Sequence, residues 1–436
     1  MRRLKQKIKS KKAYVGIVGA GYVGLPLAML FCKKGFNVRV IDIDKKRINE
    51  LKKGRSYIED VSSEELRRFL GKNFTATSDE KVLADCDVII VCVPTPLSKT
   101  GEPDISFIRK SVRSIRKYLR KSQLIVLEST TYPGTSREVV LPALEKSGLK
   151  IDNDFYLAFS SERVDPLNKR FTLEKIPKVV GGVSLDSGAA ASGLYKQIFK
   201  KVVTVSSSEA AEMSKLLENT FRSVNIGLIN QINKICHKLD IDVWEVIEAA
   251  STKPFGFMAF YPGPGLGGHC LPTDPIFLSW KAKVAGYKAY NIIDLAHTIN
   301  RSMPNYVASK IAAALKKAGK KIKNSRVLIM GVSYKKNIGD TRESPAINVI
   351  ELLMKREANV SYYDPFVKSL KLKNSTLKSV RFNARQLKKY DCAVIITDHS
   401  NVRYDLLLKN CTLIIDTRNI IKNTGDNRNQ NKVIKI

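Results

Sequence analysis

The first apolar run of the chain, within residues 13–19, holds Val15, Ile17 and Val18 and is too short for a helix, so it predicts a buried strand. Apolar positions recur at helical spacing over residues 23–35, and a second short run at 37–43 predicts another strand. Further strands are expected at 88–93, 124–128, 155–159 and 178–181, with helical patterns between several of them. Continuous apolar strands alternating with helices describe an α/β fold with a doubly wound parallel sheet.

The pattern then changes. Residues 209–239 carry apolar positions at helical spacing without a proline and predict one long helix, followed by another at 243–250. A second α/β pattern starts at 326–331, with a helix at 345–356, a strand at 359–363 followed by Asp364, and a strand at 392–396. This is a weak repeat of the first pattern. Its first turn, Gly331-Val332-Ser333-Tyr334-Lys335-Lys336, has one glycine only, so a similar domain with a different ligand is expected. The divisions are a basic tail at 1–12, a first α/β domain at 13–205, a helical central domain at 206–315 and a second α/β domain at 316–436. The last dozen residues are polar and are expected to fray.

Composition narrows the class. The 436 residues are 44% hydrophobic and 27% charged, ordinary for a water-exposed globular protein with more than one core. No apolar run reaches the roughly 18 residues of a membrane span. The N-terminus is basic but lacks the apolar core of a signal peptide, so a cytoplasmic protein is expected, with no membrane partner. The net charge of +34 favours anionic partners, yet the lysines are spread along the whole chain, and nucleic acid is not expected as the main partner. Six of the seven cysteines, Cys32, Cys86, Cys92, Cys236, Cys392 and Cys411, fall in or beside apolar runs and read as small buried hydrophobes. No His/Cys cluster has metal-ligand spacing, and no metal is expected.

Two motifs carry chemistry. Gly19-Ala20-Gly21-Tyr22-Val23-Gly24 joins the first strand to the first helix, where glycines permit a tight turn and close approach of a pyrophosphate to backbone amides. Asp42, 18 residues past Gly24, ends the next strand and suits the ribose hydroxyls of NAD. Lys45, Lys46 and Arg47 follow it, so NADP stays open although the carboxylate favours NAD. Gly19, Gly21, Tyr22, Val23, Gly24, Asp42 and Arg47 are the cofactor candidates. The second motif is the glycine-dense stretch Gly263-Pro264-Gly265-Leu266-Gly267-Gly268-His269-Cys270, with Asp274 four residues on. A thiol there, in a chain with a nicotinamide site, points to oxidation through a thiohemiacetal and a thioester. An unperturbed cysteine, of pKa about 8.5, is only a few per cent thiolate at pH 7, so it needs a nearby cation.

With these residues in place, the chain resembles the UDP-glucose/GDP-mannose dehydrogenase family over nearly its full length, and most of all the branch acting on UDP-N-acetylhexosamines, UDP-N-acetylglucosamine foremost. The resemblance implies an NAD-binding Rossmann domain, a helical dimerisation domain and a C-terminal Rossmann-like domain for UDP. Val91-Cys92-Val93-Pro94-Thr95-Pro96 resembles the family turn beside NAD and implies a cofactor role for Thr95. Glu128-Ser129-Thr130 implies that Thr130 lies near the nicotinamide and the catalytic water. Ala211-Glu212-Met213-Ser214-Lys215-Leu216-Leu217-Glu218-Asn219 places Lys215 and Asn219 on one helical face. Tyr261, Gly263 and Gly267 fall in the substrate and nucleophile loop. Lys335 is implied to contact the substrate and Arg342, in Gly339-Asp340-Thr341-Arg342-Glu343-Ser344, the cofactor. Arg418 belongs to a C-terminal element, Asp416-Thr417-Arg418-Asn419.

The chain also departs from the family. Ser160-Ser161-Glu162 lacks the usual central proline, Arg163-Val164-Asp165-Pro166 resembles the acetamido-sugar branch, and Thr273 stands where UDP-glucose enzymes often have lysine. The expected chemistry is a four-electron oxidation at C6 of a UDP-sugar substrate, feeding surface polysaccharide. Cys270 is the nucleophile, Lys215 and Asn219 stabilise oxyanions, Asp274 holds Lys215 or a water, and Glu162 activates the hydrolytic water; Glu162 and Arg163 also line the substrate. A homodimer through the long helix is implied. The alternatives are UDP-glucose or UDP-N-acetylmannosamine as substrate, a single-step dehydrogenase of the β-hydroxyacid type, and a basic nucleic-acid-binding protein on a dehydrogenase scaffold.

Overall fold

Eight strands form the sheet of the N-terminal region: β1 (Tyr14–Val18), β2 (Asn37–Ile41), β3 (Phe74–Thr77), β4 (Val88–Val91), β5 (Gln123–Leu127), β6 (Phe155–Phe159), β7 (Lys178–Gly182) and β8 (Val202–Val205), in the order β3-β2-β1-β4-β5-β6-β7-β8. The computed structural model describes residues 2–163, 171–287, 291–421 and 432–436. Its two units are Met1–Glu218 with Ile276–Lys288, and Asn219–Pro275 with Ala289–Ile436. The helix Ser208–Leu239 runs from the first into the second.

The first sheet is buried on both faces because its strands are apolar at successive positions. Val88 and Ile90 of β4 join one hydrophobic cluster and Ile89 and Val91 the other, as the two-residue period of a strand requires. Strand neighbours run parallel, with one exception. β7 is antiparallel to β6, pairing Phe159 with Gly181 and Ala158 with Gly182, so the sheet is mixed rather than wholly parallel.

The segment expected as a basic tail includes a docked helix, Arg2–Lys9. Leu4 and Ile8, one turn apart, are 2% and 3% exposed and join the first core, while Lys7 pairs with Asp87 at 2.7 Å. Two apolar residues among lysines suffice because both fall on the same face.

The second unit holds β9 (Arg326–Met330), β10 (Asn359–Tyr363), β11 (Ser369–Lys371), β12 (Thr376–Lys378), β13 (Cys392–Ile395), β14 (Ile414–Asp416) and β15 (Val433–Lys435). Five form a parallel sheet in the order β10-β9-β13-β14-β15, and β11 and β12 an antiparallel pair. The chain end therefore does not fray throughout. β15 pairs with β14, and Ile436 is 2% exposed. The helices Val243–Ala250 and Ile292–Lys317 belong to this unit; the second contains Pro304 and was not expected from the pattern. Among the described residues no helix is long and apolar enough to cross a membrane.

Candidate active site

The turn after β1 is shaped to receive a phosphate. Gly19 has φ of 104°, and a side chain on it would strike the Cys92 carbonyl oxygen, so only glycine fits. Nothing lies within 4 Å of where a side chain on Gly21 would start, which leaves room for a ligand. The helix Gly24–Lys33 begins at Val23 without a side-chain cap, so its N-terminal end presents dipole and amides to an anion. Tyr22 is exposed and Val23 half-buried.

Asp42 holds this turn from behind. Its two carboxylate oxygens accept the amides of Ala20 and Asp44, each at 2.8 Å, and it is 8% exposed. Arg47 approaches Asp42 at 3.6 Å and Asp44 at 3.5 Å. Thr95 is buried beyond the end of β4, where Ser129 Oγ accepts the amide of Val93 at 2.9 Å. A glycine turn, an uncapped helix start and a carboxylate at the next strand end fit a dinucleotide, and these residues would hold NAD.

Further along the same sheet edge, past β5 and β6, lie Thr130 and Glu162, both half-buried. Lys215, 8% exposed on the helix Ser208–Leu239, donates to the Glu162 carbonyl at 2.6 Å. One Glu162 carboxylate oxygen accepts the amide of Arg163, at 2.6 Å. The Arg163 guanidinium forks Glu218, at 2.7 and 3.2 Å, and donates to the Pro177 carbonyl at 2.7 Å. Val164, Asp165 and Pro166 lie outside the described residues.

The structure adds residues that motif reading passed over. Glu212, fully buried three residues before Lys215, accepts the amides of Gly134 and Ser136 at 2.6 and 2.9 Å and the Ser136 hydroxyl at 2.7 Å. It ties the Lys215 helix to the segment following Thr130. Burial pushes its carboxyl up to about 7, against the pull of these donors. Lys178, Glu128 and Tyr195 form a second buried group. A glutamate on the same helical face as Lys215 and Asn219, and one directly following a buried strand, were the available signals.

The second unit carries the thiol. Cys270 is half-buried and in no disulfide, whereas the other six cysteines are buried. Its carbonyl accepts the amides of Thr273 at 3.1 Å and Asp274 at 2.8 Å, a turn that opens the helix Asp274–Val284. Asp274, expected to hold Lys215 or a water, accepts a hydrogen bond from Asn219 Nδ2 at 2.6 Å. Arg222 donates to the Asn219 carbonyl oxygen, which fixes the amide's orientation.

The loop before Cys270 is anchored at both ends. Asn230 accepts the Gly263 amide at 3.0 Å and donates to Asn300 at 2.9 Å; Asn300 donates to the Ser223 carbonyl at 2.9 Å. A side chain on Gly263 would stand 2.7 Å from Nη1 of Arg418, whose Nε donates to the Ile396 carbonyl at 2.8 Å. Burial holds the Arg418 pKa below its usual value. Gly267 packs on Tyr334, where its Cβ would meet that of the tyrosine at 2.6 Å, and the Gly268 amide donates to the Arg342 carbonyl at 3.1 Å. Lys335 lies in the same turn as Tyr334, its carbonyl accepting the Ser333 hydroxyl at 3.0 Å. The Arg342 guanidinium forks Asp340 at 2.6 to 3.0 Å. Tyr261, half exposed, stacks on Trp244 with ring centroids 5.9 Å apart. Among the described residues no His/Cys/Asp/Glu group could hold a metal ion.

Three family models match in succession. The NAD binding domain of the UDP-glucose/GDP-mannose dehydrogenase family matches residues 13–199, its central domain 209–302 and its UDP binding domain 328–423. A UDP-N-acetyl-D-mannosamine dehydrogenase of Pyrococcus horikoshii is 34% identical over 418 residues, 94% of this chain and 96% of that protein. A UDP-N-acetyl-D-glucosamine 6-dehydrogenase of Pseudomonas aeruginosa is 37% identical over 359 residues, 82% of this chain and 84% of that protein. A solved structure of a UDP-D-ManNAc dehydrogenase from Pyrococcus horikoshii superposes with a TM-score of 0.86 at 33% identity, covering 97% of this chain and 99% of that one.

Proposed function

Since the chain belongs to the UDP-glucose/GDP-mannose dehydrogenase family, we propose that it oxidises C6 of a UDP-N-acetylhexosamine, UDP-N-acetylglucosamine foremost, to the uronic acid. The chain is an NAD-dependent nucleotide-sugar dehydrogenase with NAD- and UDP-binding domains. The observation that carries the rest of the reading is Cys270, half-buried in an anchored glycine loop while every other cysteine is buried.

NAD, when bound, supplies a two-electron acceptor for each of two oxidations. The C6 alcohol loses a hydride and a proton to become an aldehyde. The Cys270 thiolate adds to the aldehyde carbon, and the thiohemiacetal loses a second hydride and a proton to become a thioester. Water adds its oxygen to the thioester carbon, its proton passes to Glu162, the C–S bond breaks and Cys270 leaves as thiolate. Lys215 and Asn219 donate to the oxyanions that develop, and Asp274 orients the Asn219 amide through their hydrogen bond. The family resemblance gives Thr130 the role of orienting the water, gives Glu162, Arg163, Tyr261, Gly263, Gly267, Lys335 and Arg418 substrate roles, and gives Thr95 and Arg342 cofactor roles.

Counting NADH released per sugar tests the covalent route. Wild type gives two, and Cys270→Ser at most one; full two-hydride turnover in Cys270→Ser overturns the reading. UDP-N-acetylmannosamine is the second reading for the substrate, favoured by the relative matching over the larger share of this chain. A panel of UDP-N-acetylglucosamine, UDP-N-acetylmannosamine, UDP-N-acetylgalactosamine and UDP-glucose decides by kcat/KM.

The domain boundaries that accompany this reading are 13–205, 206–315 and 316–436. A homodimer in the cytoplasm accompanies it too. Met213, Leu217, Phe221, Leu228, Ile235 and Leu239 are exposed along the helix Ser208–Leu239, four or seven residues apart. Such a stripe supports pairing with a second copy. Light scattering at micromolar concentration, with Phe221→Glu as the disrupting variant, tests it.

A further inference from the structure

Three side chains that the chemistry above does not use are shut in together at the edge of the first sheet. Lys178 and Glu128 form an ion pair at 2.8 Å, their side chains 3% and 0% exposed. Tyr195, also fully buried, donates its hydroxyl to the other oxygen of Glu128. The Lys178 ammonium lies 5.2 Å from the ring centroid of Tyr195 and 5.4 Å from that of Phe199. Moving both charges out of water is expensive, and an apolar pair of like volume often serves stability as well or better. Burial raises the Glu128 carboxyl even with Lys178 beside it. Such a pair calls for a reason beyond stability.

That reason lies in the backbone it touches. The Lys178 ammonium donates a further hydrogen bond, at 3.2 Å, to the Ser161 carbonyl. The next carbonyl, that of Glu162, takes the Lys215 ammonium at 2.6 Å. Two buried ammonium groups thus pin consecutive peptide oxygens on either side of the Glu162 α-carbon. The direction of β7 makes this possible. Because β7 is antiparallel to β6, with Phe159 opposite Gly181, its first residue stands level with the residues just past the end of β6. A parallel β7 would start at the opposite edge of the sheet, away from the strand ends where ligands of doubly wound sheets bind. Glu128 directly follows β5 and stands two residues before Thr130, so the same ion pair joins the two strand ends that carry Thr130 and Glu162.

We propose that Lys178, held by Glu128 and Tyr195, is a positioning residue that fixes the Ser161–Glu162 backbone, and through it aims the Glu162 carboxylate at the water that cleaves the thioester. The kinetic part rests on the role given to Glu162 under the proposed function; the structural part does not.

Lys178→Met removes the ammonium at nearly constant length. Glu128→Gln/Lys178→Met removes the whole ion pair and carries the test if the single variant fails to fold. Amide hydrogen exchange of the ligand-free protein is expected to quicken about tenfold at residues 160–163 while residues 88–91 stay protected. With NAD and UDP-N-acetylglucosamine, the variant should still give a rapid burst of two NADH per site. Its kcat should then fall about a hundredfold, with KM for the sugar changed by less than about threefold. Intact mass should show the thioester persisting on Cys270, and Lys178→Arg should restore turnover. Unchanged exchange at 160–163 overturns the proposal, and so does a burst lost in step with turnover. If wild type itself does not release two NADH per sugar, the proposed function fails instead, and the exchange result alone decides for or against the positioning role.

Discussion

The Asp42 carboxylate accepts the amide of Ala20 at 2.8 Å, inside a glycine turn 22 residues earlier in the chain. The second unit repeats the device. Asp364, just after β10, accepts the amide of Val332 at 2.7 Å in the turn after β9. There the likeness ends, because Asp364 also accepts the amides of Phe366 and Val367 and faces His399 Nε2 at 3.0 Å. The first carboxylate keeps a partly open side, at 8% exposure, and the second is sealed by protein. Asn at position 42 has one acceptor oxygen for two amides. Asp42→Asn should weaken NAD binding about tenfold or more, the equivalent of ~1.4 kcal/mol, while Asp364→Asn should lower thermal stability and leave NAD affinity alone. Calorimetric titration with NAD and thermal melts of both variants check this.

Glu212 makes stability depend on pH with a defined sign. Burial raises its carboxyl from 4.5 to about 7. Between those values the folded chain keeps a proton that the unfolded chain has released, so stability should fall as pH rises through this window and level off above about 7. The whole excursion is on the order of 3 kcal/mol. Glu212→Gln cannot titrate and should lack this component, although its amide leaves one backbone donor unmatched and lowers stability by about 1–3 kcal/mol. Urea midpoints of the two proteins from pH 5 to 8 give the comparison.

Asn219 bonds Asp274 through its amide nitrogen, so Asn219→Asp would put two carboxylates 2.6 Å apart. Like charges that close retain a shared proton, and one of the pair is raised well above the usual carboxylate range. The shared proton restores the bond to Asp274 and removes one of the two negative charges from the pair. Activity of Asn219→Asp should therefore be strongly reduced at pH 8 and recover toward pH 6, opposite to Asn219→Ala, which should be low throughout. The pH profile of kcat/KM separates the two variants.

Gly268 sits at φ of 78° with its would-be Cβ 2.9 Å from the Tyr334 ring. Gly268→Ala adds a left-handed strain of about 1–2 kcal/mol and a clash two residues before Cys270. The loop should shift while both sheets persist. Slower turnover together with an altered rate of Cys270 alkylation, at unchanged circular dichroism, is the expected result.

Much of this architecture was legible in the chain. The strands at Val88–Val91 and Phe155–Phe159 are uninterrupted apolar runs, and the helix Ser208–Leu239 keeps its period for 32 residues. What escaped had contrary local signals. Pro304 disguised the helix Ile292–Lys317, and two apolar residues among lysines disguised the helix Arg2–Lys9. β15 follows a polar stretch and is only three residues long. The direction of β7 cannot be read from its own residues, since a buried strand has the same composition either way up. Nothing in that composition marks Lys178 as a residue that ends up 3% exposed. Lys215 and Asn219 were found by motif, but the partner of Asp274 depended on side-chain geometry that no spacing encodes.

The seclusion of six thiols gives the seventh an analytical use. Burial lifts Cys32 and Cys86 to about 12 and Cys411 to about 11, and raises Cys92 and Cys392 as well, so none of these five ionises near neutrality. A maleimide or iodoacetamide dye added to native enzyme should stop at one label per chain, with residual turnover declining in proportion to dye incorporated. The molecule thus comes with a built-in titrant for counting competent centres in any preparation.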